Sequence, residues 1–254
     1  MINLAPPPAL TAVIVSAGRG SRLLPLTLAI PKCLVQVGGR AILDHQLDAL
    51  EAADIGRAIV VAGYRIDQIA DHLARSRRRI DVDLVFNPFW SVASSIASVW
   101  AARGAVAKPF ALMNGDTVFE GHVIADAVAA AQPGVNLVVE KPKAFEIDDM
   151  RVAVSGTRVL GVGKDLPEPQ ATHRSLGLIV SRDADGGGYA KALRAVIGEE
   201  DGINAYHHDV VARLASTGQV HAVVETTGNW QEIDRAQDIA AWTREHGEGF
   251  GEVA

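Results

Sequence analysis

The sequence is poor in the features that mark secreted, membrane-bound or nucleic-acid-binding proteins. Cys33 is the one cysteine among 254 residues, so no internal disulfide can form, which favours a reducing, cytoplasmic environment. No apolar run reaches transmembrane length, and the first residues lack the charged start of a signal peptide, so we expect a loose leader and no membrane contact. The net charge of -6 argues against a protein that binds nucleic acid electrostatically.

What the chain does contain is the composition of a globular α/β domain. Apolar residues make up 48% and charged residues 21% of the sequence, which excludes a disordered or fibrous chain. Apolar strand-like runs alternate with stretches of helical periodicity, and this order predicts a Rossmann-like, mostly parallel sheet flanked by helices. The chain is long enough for one large domain, and we expect residues 1–254 to form it.

The rhythm changes in the second half of the chain. Two short strand-like runs, residues 151–154 and 159–162, flank Ser155, Gly156 and Thr157, which is a hairpin signal. We interpret residues 1–140 as a nucleotide-binding half and residues 141–254 as a smaller, hairpin-containing half that binds an acceptor.

The chemistry begins directly after the first predicted strand, residues 12–15. Glycines at 18 and 20 let the backbone turn tightly and bring N–H groups close to an anion. Arg22 and Lys32 add two positive charges to the same neighbourhood. A strand end, bare backbone donors and two cations together predict a cradle for a triphosphate.

Two common phosphate-binding loops do not fit this segment. A Walker loop ends in Gly-Lys-Ser/Thr, whereas Gly20 is followed by Ser21 and Arg22. A dinucleotide fingerprint needs a third glycine, but Leu23 stands there and Pro25 follows, which disfavours a dehydrogenase. The run G-x-G-S-R-L-x-P-L-T, with P-K-C-L after it, instead resembles the signature of the sugar-nucleotidyltransferase superfamily.

This resemblance implies the nucleotide-diphospho-sugar transferase fold and an enzyme that transfers a nucleotidyl group with release of pyrophosphate. It implies that Arg22 and Lys32 are catalytic, because they neutralise the triphosphate and the departing pyrophosphate. The nucleotide contacts expected from the loop are Ala17, Gly18, Arg19, Gly20, Ser21 and Arg22.

Two distant carboxylates are the expected metal ligands. Asp116 ends an apolar strand in the run A-L-M-N-G-D, and Asp234 closes the run W-Q-E-I-D. Magnesium in nucleotide sites prefers one or two carboxylates together with phosphate oxygens, and both runs resemble metal motifs of the superfamily. Asp116 could instead belong to a polar turn, and Asp234 could cap the helix predicted from Arg235.

The nucleobase is expected near a serine-rich segment. In the superfamily a loop of small residues that opens a helix receives the base, and Ser94 and Ser95 match that place. Their hydroxyls can both donate and accept hydrogen bonds. An N-cap of the following helix is the alternative interpretation of these serines. By the same resemblance, Asp116 also contacts the nucleotide.

One branch of the superfamily is especially similar: the bacterial phosphocholine cytidylyltransferases and their relatives that act on inositol phosphate and phosphonates. The similarity lies in P-K-C-L-V-Q-V-G-G-R, in N-P-F-W, in N-G-D and in W-x-E-I-D. It implies CTP as the favoured nucleotide and a small phosphate or phosphonate as the acceptor. The sequence departs from this branch at Ser94–Ser95, at residues 148–152 and at residues 173–177.

The acceptor contacts follow from the same resemblance. Lys164 is expected at the acceptor phosphate, with Lys141 as its rival. A cationic head group would need an aromatic or acidic cage, for which Glu140, Trp230 and Glu232 are candidates. Asp148 and Asp149 could join such a cage, whereas Arg174 would suit an acceptor that carries an extra anion.

Two other functions stay open at this point. Glu140, Lys141 and Pro142 also fit a sugar-1-phosphate nucleotidyltransferase that uses UTP, dTTP or GTP. A regulatory or scaffold protein could keep the fold without activity, although the intact set of Arg22, Lys32, Asp116 and Asp234 argues against it. A homodimer is left open as the assembly.

Overall fold

The computed structural model describes residues 9–247, and most of the predicted leader lies outside this range. The described range contains thirteen strands and seven α helices. The strands are β1 (Thr11–Ser16), β2 (Gln36–Val37), β3 (Arg40–Ala41), β4 (Arg57–Ala62), β5 (Asp81–Phe86), β6 (Phe110–Asn114), β7 (Thr117–Phe119), β8 (Val135–Glu140), β9 (Arg151–Ser155), β10 (Arg158–Gly163), β11 (His173–Ser181), β12 (Val220–Val224) and β13 (Trp230–Glu232). The helices are α1 (Ile42–Ala52), α2 (Ile66–Arg75), α3 (Ser95–Ala101), α4 (Gly121–Ala130), α5 (Tyr189–Ile197), α6 (His207–Ala215) and α7 (Ala236–His246).

A nine-stranded sheet forms the centre of the molecule, in the order β5-β4-β1-β6-β11-β8-β12-β10-β9. The four strands β5, β4, β1 and β6 are parallel neighbours, as are β8 and β12. Strands β11 and β10 pair antiparallel with their neighbours. The predicted α/β class is confirmed, and the sheet is mixed, with its parallel part in β5, β4, β1 and β6 and in the pair of β8 and β12. Because ligands of such sheets bind beyond the carboxyl ends of the strands, the ends of β1 and β6 are where a site is expected.

Helices cover both faces of this sheet, and β1 shows how the sequence directs them. Val13 packs in a core with Ile96 of α3 and with α5 and α6. Its neighbour Ile14 faces the opposite layer and packs with Leu47 of α1 and Ile69 of α2. Adjacent side chains of a strand point to opposite faces, so a continuous apolar run without alternation is the pattern of a strand that is buried on both sides.

The element bounds agree closely with the sequence pattern where apolar periodicity is strong. The sequence pattern predicts a strand over residues 57–62 and a helix over residues 189–197, and β4 and α5 have these bounds. The predicted hairpin is formed by β9 and β10. A helix is also predicted over residues 205–217, and α6 starts two residues later, at His207, after a short 3-10 turn over Gly202–Asn204.

One pairing that the sequence did not predict joins the two halves of the chain. Strand β13 pairs antiparallel with β7, which places Glu232 opposite Thr117. The pairing continues into the next residue, because the Ile233 N–H donates to the Asp116 carbonyl at 2.9 Å. The segments that carry Asp116 and Asp234 are therefore neighbours, although they are far apart along the sequence.

A small hydrophobic core behind this pairing fixes its position. The core is formed by apolar side chains from the early loop, the β2–β3 hairpin, α1, β7, α7 and the residue that follows β13. It therefore connects the segments that carry Arg22, Lys32, Asp116 and Asp234. Its buried members are Leu23, Val35, Val37, Ile42, Val118, Ile233 and Trp242.

The second half of the chain does not form a separate sheet. Strands β9 to β12 all belong to the central sheet, in which β11 lies between β6 and β8. The division into a nucleotide-binding half and an acceptor-binding half stays a prediction. Over residues 9–247, the structure contains no helix that combines the length and the apolar character needed to cross a bilayer.

Replacement of Ile233 tests the role of the small core. Ile233 is fully buried, and removing such a side chain to alanine costs about 2–5 kcal/mol. We expect Ile233→Ala to lower the free energy of unfolding by that amount in chemical denaturation. Ile147→Ala is the matched control, since Ile147 is 88% exposed. Equal midpoints for the two variants would contradict the assignment of Ile233 to a packed core.

Candidate active site

A cleft of about 320 Å³ opens at the carboxyl ends of β1 and β6. Residues from both halves of the chain line it, including Gly18 and Lys32 from the first half and Lys164 and Asp234 from the second. The early loop, the acidic strand ends and the expected acceptor residues therefore share one opening. This is the position that the sheet topology favours for a ligand.

The early loop leaves β1 through Ala17 and Gly18, and both residues line the cleft. Gly20 adopts a left-handed conformation with φ of 71°, which costs little only for glycine. Its carbonyl accepts a 2.8 Å hydrogen bond from the buried Thr27 hydroxyl. A Cβ on Gly20 would lie 2.8 Å from the Cβ of Lys32, so the glycine also gives the lysine stem its path into the cleft.

Two residues of the predicted nucleotide loop lie away from the cleft. Arg19 is exposed, and its guanidinium lies 5.7 Å from the centre of the Tyr64 ring. Ser21 is exposed at the start of a 3-10 turn. Neither residue contributes to the cleft lining as described, and their contacts with a nucleotide stay predictions.

Lys32 connects the two aspartates that the sequence singled out. Its ammonium donates to Asp116 Oδ2 at 2.8 Å and also to Asp234 Oδ1. Arg22 approaches the same cluster and donates from Nη1 to Asp234 Oδ2 at 2.5 Å. A second bond runs from Arg22 Nη2 to Asp148 at 3.1 Å. The four charged residues that were expected to act together are in direct contact.

The ion pairs set the protonation of this cluster. Burial by itself would lower the pKa of Lys32, but the carboxylates of Asp116 and Asp234 outweigh it and hold that pKa above its ordinary value. Burial would likewise raise the pKa of Asp234, yet Lys32 and Arg22 keep it below its ordinary value. Both partners are therefore fully charged at neutral pH.

Three carboxylates of the cluster could hold a divalent metal ion. Asp116, Glu232 and Asp234 each offer one oxygen, and these oxygens lie within 4.8 Å of one another. The Asp116 Oδ1 atom is buried without a hydrogen-bond partner among the described residues, which is unusual for a charged oxygen. A set of hard carboxylate oxygens fits magnesium, so the residues that are present fit the expected ion.

Glu232 lines the cleft beside the two aspartates. It was expected in a cage for the acceptor, but it lies at the open rim of the cluster, near Asp116 and Asp234. Partial desolvation and these two like charges raise the pKa of Glu232. A contact between Glu232 and the acceptor stays a prediction.

The alternative role of Asp234 as a helix cap is not what the geometry shows. Helix α7 has Arg235 at its N-cap position. Asp238 accepts from the backbone N–H groups of Asp234 and Arg235, at 2.8 and 2.6 Å. The Asp234 carboxylate accepts from Lys32 and Arg22 instead of from the helix backbone.

Ser94 and Ser95 both line the cleft. Ser94 occupies the N-cap position of α3 but makes no capping bond with its side chain. Ser95 is held by His207, whose backbone N–H donates to the serine hydroxyl at 3.1 Å and whose Nδ1 lies 2.9 Å from it. The simple capping interpretation therefore does not describe either hydroxyl, and recognition of a base by them stays a prediction.

Two adjacent histidines at the base of the cleft were missed by the sequence analysis. His207 and His208 line the cleft, and burial lowers the pKa of His207 to about 4 and that of His208 well below its ordinary value. Both rings are neutral at pH 7, and His208 Nε2 lies 2.9 Å from the Ser175 hydroxyl. The His-His pair at a helix start was the available signal, but nothing in its spacing shows which way the rings point.

The two candidate lysines for the acceptor phosphate have different surroundings. Lys164 lines the cleft, with its ammonium 5.0 Å from the centre of the Tyr206 ring. In the range 9–247 no carboxylate forms an ion pair with Lys164. Lys141 is exposed and is not among the residues that line the cleft. The geometry favours Lys164 as a cation available to an incoming anion.

Glu140 forms hydrogen bonds with two neighbouring side chains and does not itself line the cleft. Its Oε1 accepts from Arg174 Nε at 2.7 Å, and its Oε2 accepts from the Trp230 indole N–H at 2.9 Å. Glu140 is not among the lining residues, whereas Arg174 and Trp230 are. Each oxygen of Glu140 already accepts one hydrogen bond from a residue that lines the cleft, and a direct contact of Glu140 with the acceptor stays a prediction.

Comparisons with known proteins agree with this architecture. The family model of the MobA-like NTP transferase domain matches residues 12–146. The inositol-1-phosphate CTP transferase from T. maritima superposes with a TM-score of 0.77 at 17% identity, covering 92% of this chain and 96% of the other. The CTP:phosphocholine cytidylyltransferase from Streptococcus pneumoniae gives a TM-score of 0.76 at 20% identity, covering 93% and 99%.

Among curated proteins, a mannose-1-phosphate guanylyltransferase catalytic subunit beta from Drosophila melanogaster is 34% identical over 111 residues. That alignment covers 42% of this chain and 30% of the relative, so the chain matches about a third of the length of such relatives.

The fold, with a glycine loop and paired cations facing two aspartates, defines the class of nucleotide-binding α/β proteins that handle a triphosphate. Within that class, the chain belongs to the family of MobA-like NTP transferase domains. The resemblance to the sugar-nucleotidyltransferase superfamily is confirmed, and its cytidylyltransferase-like branch is represented among the structures that share the fold.

The two loop glycines provide a test of the loop geometry. Gly20→Ala places a side chain at positive φ, which costs about 1–2 kcal/mol, and against the Lys32 stem. We expect a clear loss of thermal stability without nucleotide. Gly18→Ala is the matched control, because an added Cβ there meets no atom within 4 Å. Equal melting temperatures for the Gly20→Ala and Gly18→Ala proteins would contradict the described loop.

Proposed function

We propose that this protein is a magnesium-dependent nucleotidyltransferase that moves a nucleoside monophosphate from a triphosphate, CTP in the first instance, to a small phosphorylated alcohol or phosphonate. The observation that carries the proposal is the contact of Lys32 with both Asp116 and Asp234 beside the glycine loop. This arrangement combines cations for a triphosphate with carboxylates for a metal ion in one cleft.

The reaction needs no proton transfer at the attacking atom. An oxygen of the acceptor phosphate forms a bond to the α-phosphorus of the nucleotide while the bond from that phosphorus to the β-phosphate oxygen breaks, and pyrophosphate leaves. The attacking oxygen is already ionised at neutral pH. The obstacle is the approach of two anions, so the protein contributes positioning and electrostatic stabilisation.

The charged side chains divide these tasks. Arg22 and Lys32 exchange their present carboxylate partners for phosphate oxygens and stabilise the charge that develops on pyrophosphate. Asp116 and Asp234, freed of the lysine, would hold magnesium, which supplies a Lewis acid that neutralises and orients the phosphates. Lys164, which has no carboxylate partner in the described part of the chain, binds the acceptor phosphate.

The choice of nucleotide rests on the neighbours. Two solved structures of this fold are named as CTP-dependent transferases, which supports CTP. The relative from Drosophila melanogaster is named as a guanylyltransferase for mannose-1-phosphate, which supports the second candidate, a sugar-1-phosphate nucleotidyltransferase. A pyrophosphate-release assay with CTP, UTP, dTTP and GTP against several acceptor phosphates distinguishes these two candidates. No pyrophosphate release with any pair of nucleotide and acceptor would favour a scaffold protein.

Removal of either catalytic charge should abolish most turnover. We expect Lys32→Ala and Asp234→Asn to lower kcat by about 10²–10³-fold, the usual cost of losing one electrostatic stabiliser. Pyrophosphate release measures the rate, and circular dichroism checks the fold. Asp126→Asn on the exposed face of α4 is the control and should keep full activity. Near-normal turnover in either cleft variant would defeat the assignment.

Lys32 should also compete with the metal ion. Its ammonium occupies the space between two carboxylates, and a unit charge at 4 Å is worth about 4 kcal/mol at an effective dielectric constant of 20. Without nucleotide, we expect Lys32→Met to bind Mn²⁺ at least tenfold more tightly, by electron paramagnetic resonance.

The control for this experiment is Lys164→Met, a cleft lysine without an ion pair to the three carboxylates. Its affinity for Mn²⁺ should equal that of the unmodified protein. An unchanged affinity in Lys32→Met would show that the lysine does not stand at the metal position.

A further inference from the structure

One wall of the cleft carries an ion-binding arrangement that the protein fills with its own side chain. The Arg174 guanidinium carbon lies 5.2 Å from the centre of the Trp230 ring. Its Nε donates to Glu140 at 2.7 Å and its Nη1 to Asp149 at 3.1 Å. We call these four residues the Arg174 group.

Without its arginine, this group would have the composition of an ammonium site. An aromatic face and nearby carboxylates are what attract a quaternary ammonium ion. The guanidinium already covers the Trp230 face on the side where Glu140 and Asp149 converge. Since the guanidinium is covalently attached and permanently charged, a ligand cation cannot share that place.

The backbone holds Arg174 at this position. Strand β11 pairs with β8 in a register that sets Arg174 directly opposite Glu140. Trp230 starts β13, the strand that also carries Glu232 and leads to Asp234. The Arg174 group therefore lies beside the acidic cluster, in the cleft that Lys164 also lines.

We propose that Arg174 determines acceptor specificity by excluding phosphorylated quaternary amines and selecting a phosphate whose body is an uncharged polyol or sugar. The carboxylate oxygens of the group accept hydrogen bonds, and its guanidinium N–H groups donate them. Hydroxyl groups, which do both, can therefore pair with either. The single excess negative charge of the group does not favour an acceptor body that is itself an anion. This inference rests on the proposed nucleotidyl transfer and narrows its acceptor.

The first test measures binding of choline alone, by isothermal titration calorimetry on the full chain. The unmodified protein should show no saturable binding in the millimolar range. Arg174→Gln removes the internal cation, and we expect its affinity for choline to rise at least tenfold. The double variant Arg174→Gln with Trp230→Leu should lose that gain, because the aromatic face is then absent.

Arg151→Gln is the matched control, since Arg151 also lies over an aromatic ring, that of Phe145 at 5.5 Å, and is not among the residues that line the cleft. It should bind choline no better than the unmodified protein. Tight choline binding by the unmodified protein, or no gain in a folded Arg174→Gln, would overturn the inference.

The second test compares acceptors with the nucleotide that gives the highest turnover. The unmodified protein should prefer inositol phosphate or a sugar-1-phosphate over phosphocholine by at least tenfold in kcat/KM, and Arg174→Gln should narrow that ratio. If Arg174→Gln does not fold, the acceptor preference of the unmodified protein tests the inference by itself. Equal kcat/KM for phosphocholine and for the polyol or sugar phosphates would overturn it. The choline-binding test requires no turnover. Inactivity with every nucleotide would therefore refute the proposed transfer, while choline binding would still test the role of Arg174.

Discussion

The contact of one buried ammonium with two aspartates is the interaction on which the rest of this site depends. Lys32 is only 12% exposed in its side chain, and a buried cation is tolerated only where opposite charges and hydrogen bonds compensate its desolvation. Asp116 and Asp234 provide that compensation for Lys32. Asp234 also accepts a hydrogen bond from Arg22. The same charges that stabilise the ligand-free cleft are those that a metal ion and a triphosphate would engage.

From this balance we expect a metal ion and a triphosphate to enter the cleft together. A metal ion alone meets carboxylates that are already neutralised, and a triphosphate alone meets cations that are already paired. With both ligands bound, the triphosphate would pair with Lys32 and Arg22 and the metal ion with Asp116 and Asp234, so that no charge would be left buried and unpaired. The small core around Val118, Ile233 and Trp242 keeps the two acidic segments close enough for this exchange.

The sequence allowed the central sheet and most charged site residues to be predicted, because apolar runs, glycines and short motifs are local signals. It did not reveal the pairing of β7 with β13, since three-residue strands have no recognisable periodicity. The contacts of Ser95 with His207 and of Arg174 with Trp230 were equally invisible. They depend on side-chain directions that are fixed only when distant strands come into register.

The acceptor side shows the same limit in another form. Residues 148–152 and 173–177 were recognised as departures from the cytidylyltransferase-like pattern, but their effect could not be deduced from residue types alone. Arg174 could have faced an acceptor anion; it instead lies between Glu140 and Asp149. A charge in a sequence therefore predicts specificity only after its partners within the protein are known.

A crystal structure with magnesium and a non-hydrolysable CTP analogue would test the central claim most directly. The account predicts that Lys32 Nζ has left the two aspartates and contacts phosphate oxygens, while Asp116 and Asp234 coordinate the metal ion. A complex in which Lys32 still bridges both aspartates, with the triphosphate bound elsewhere, would contradict it.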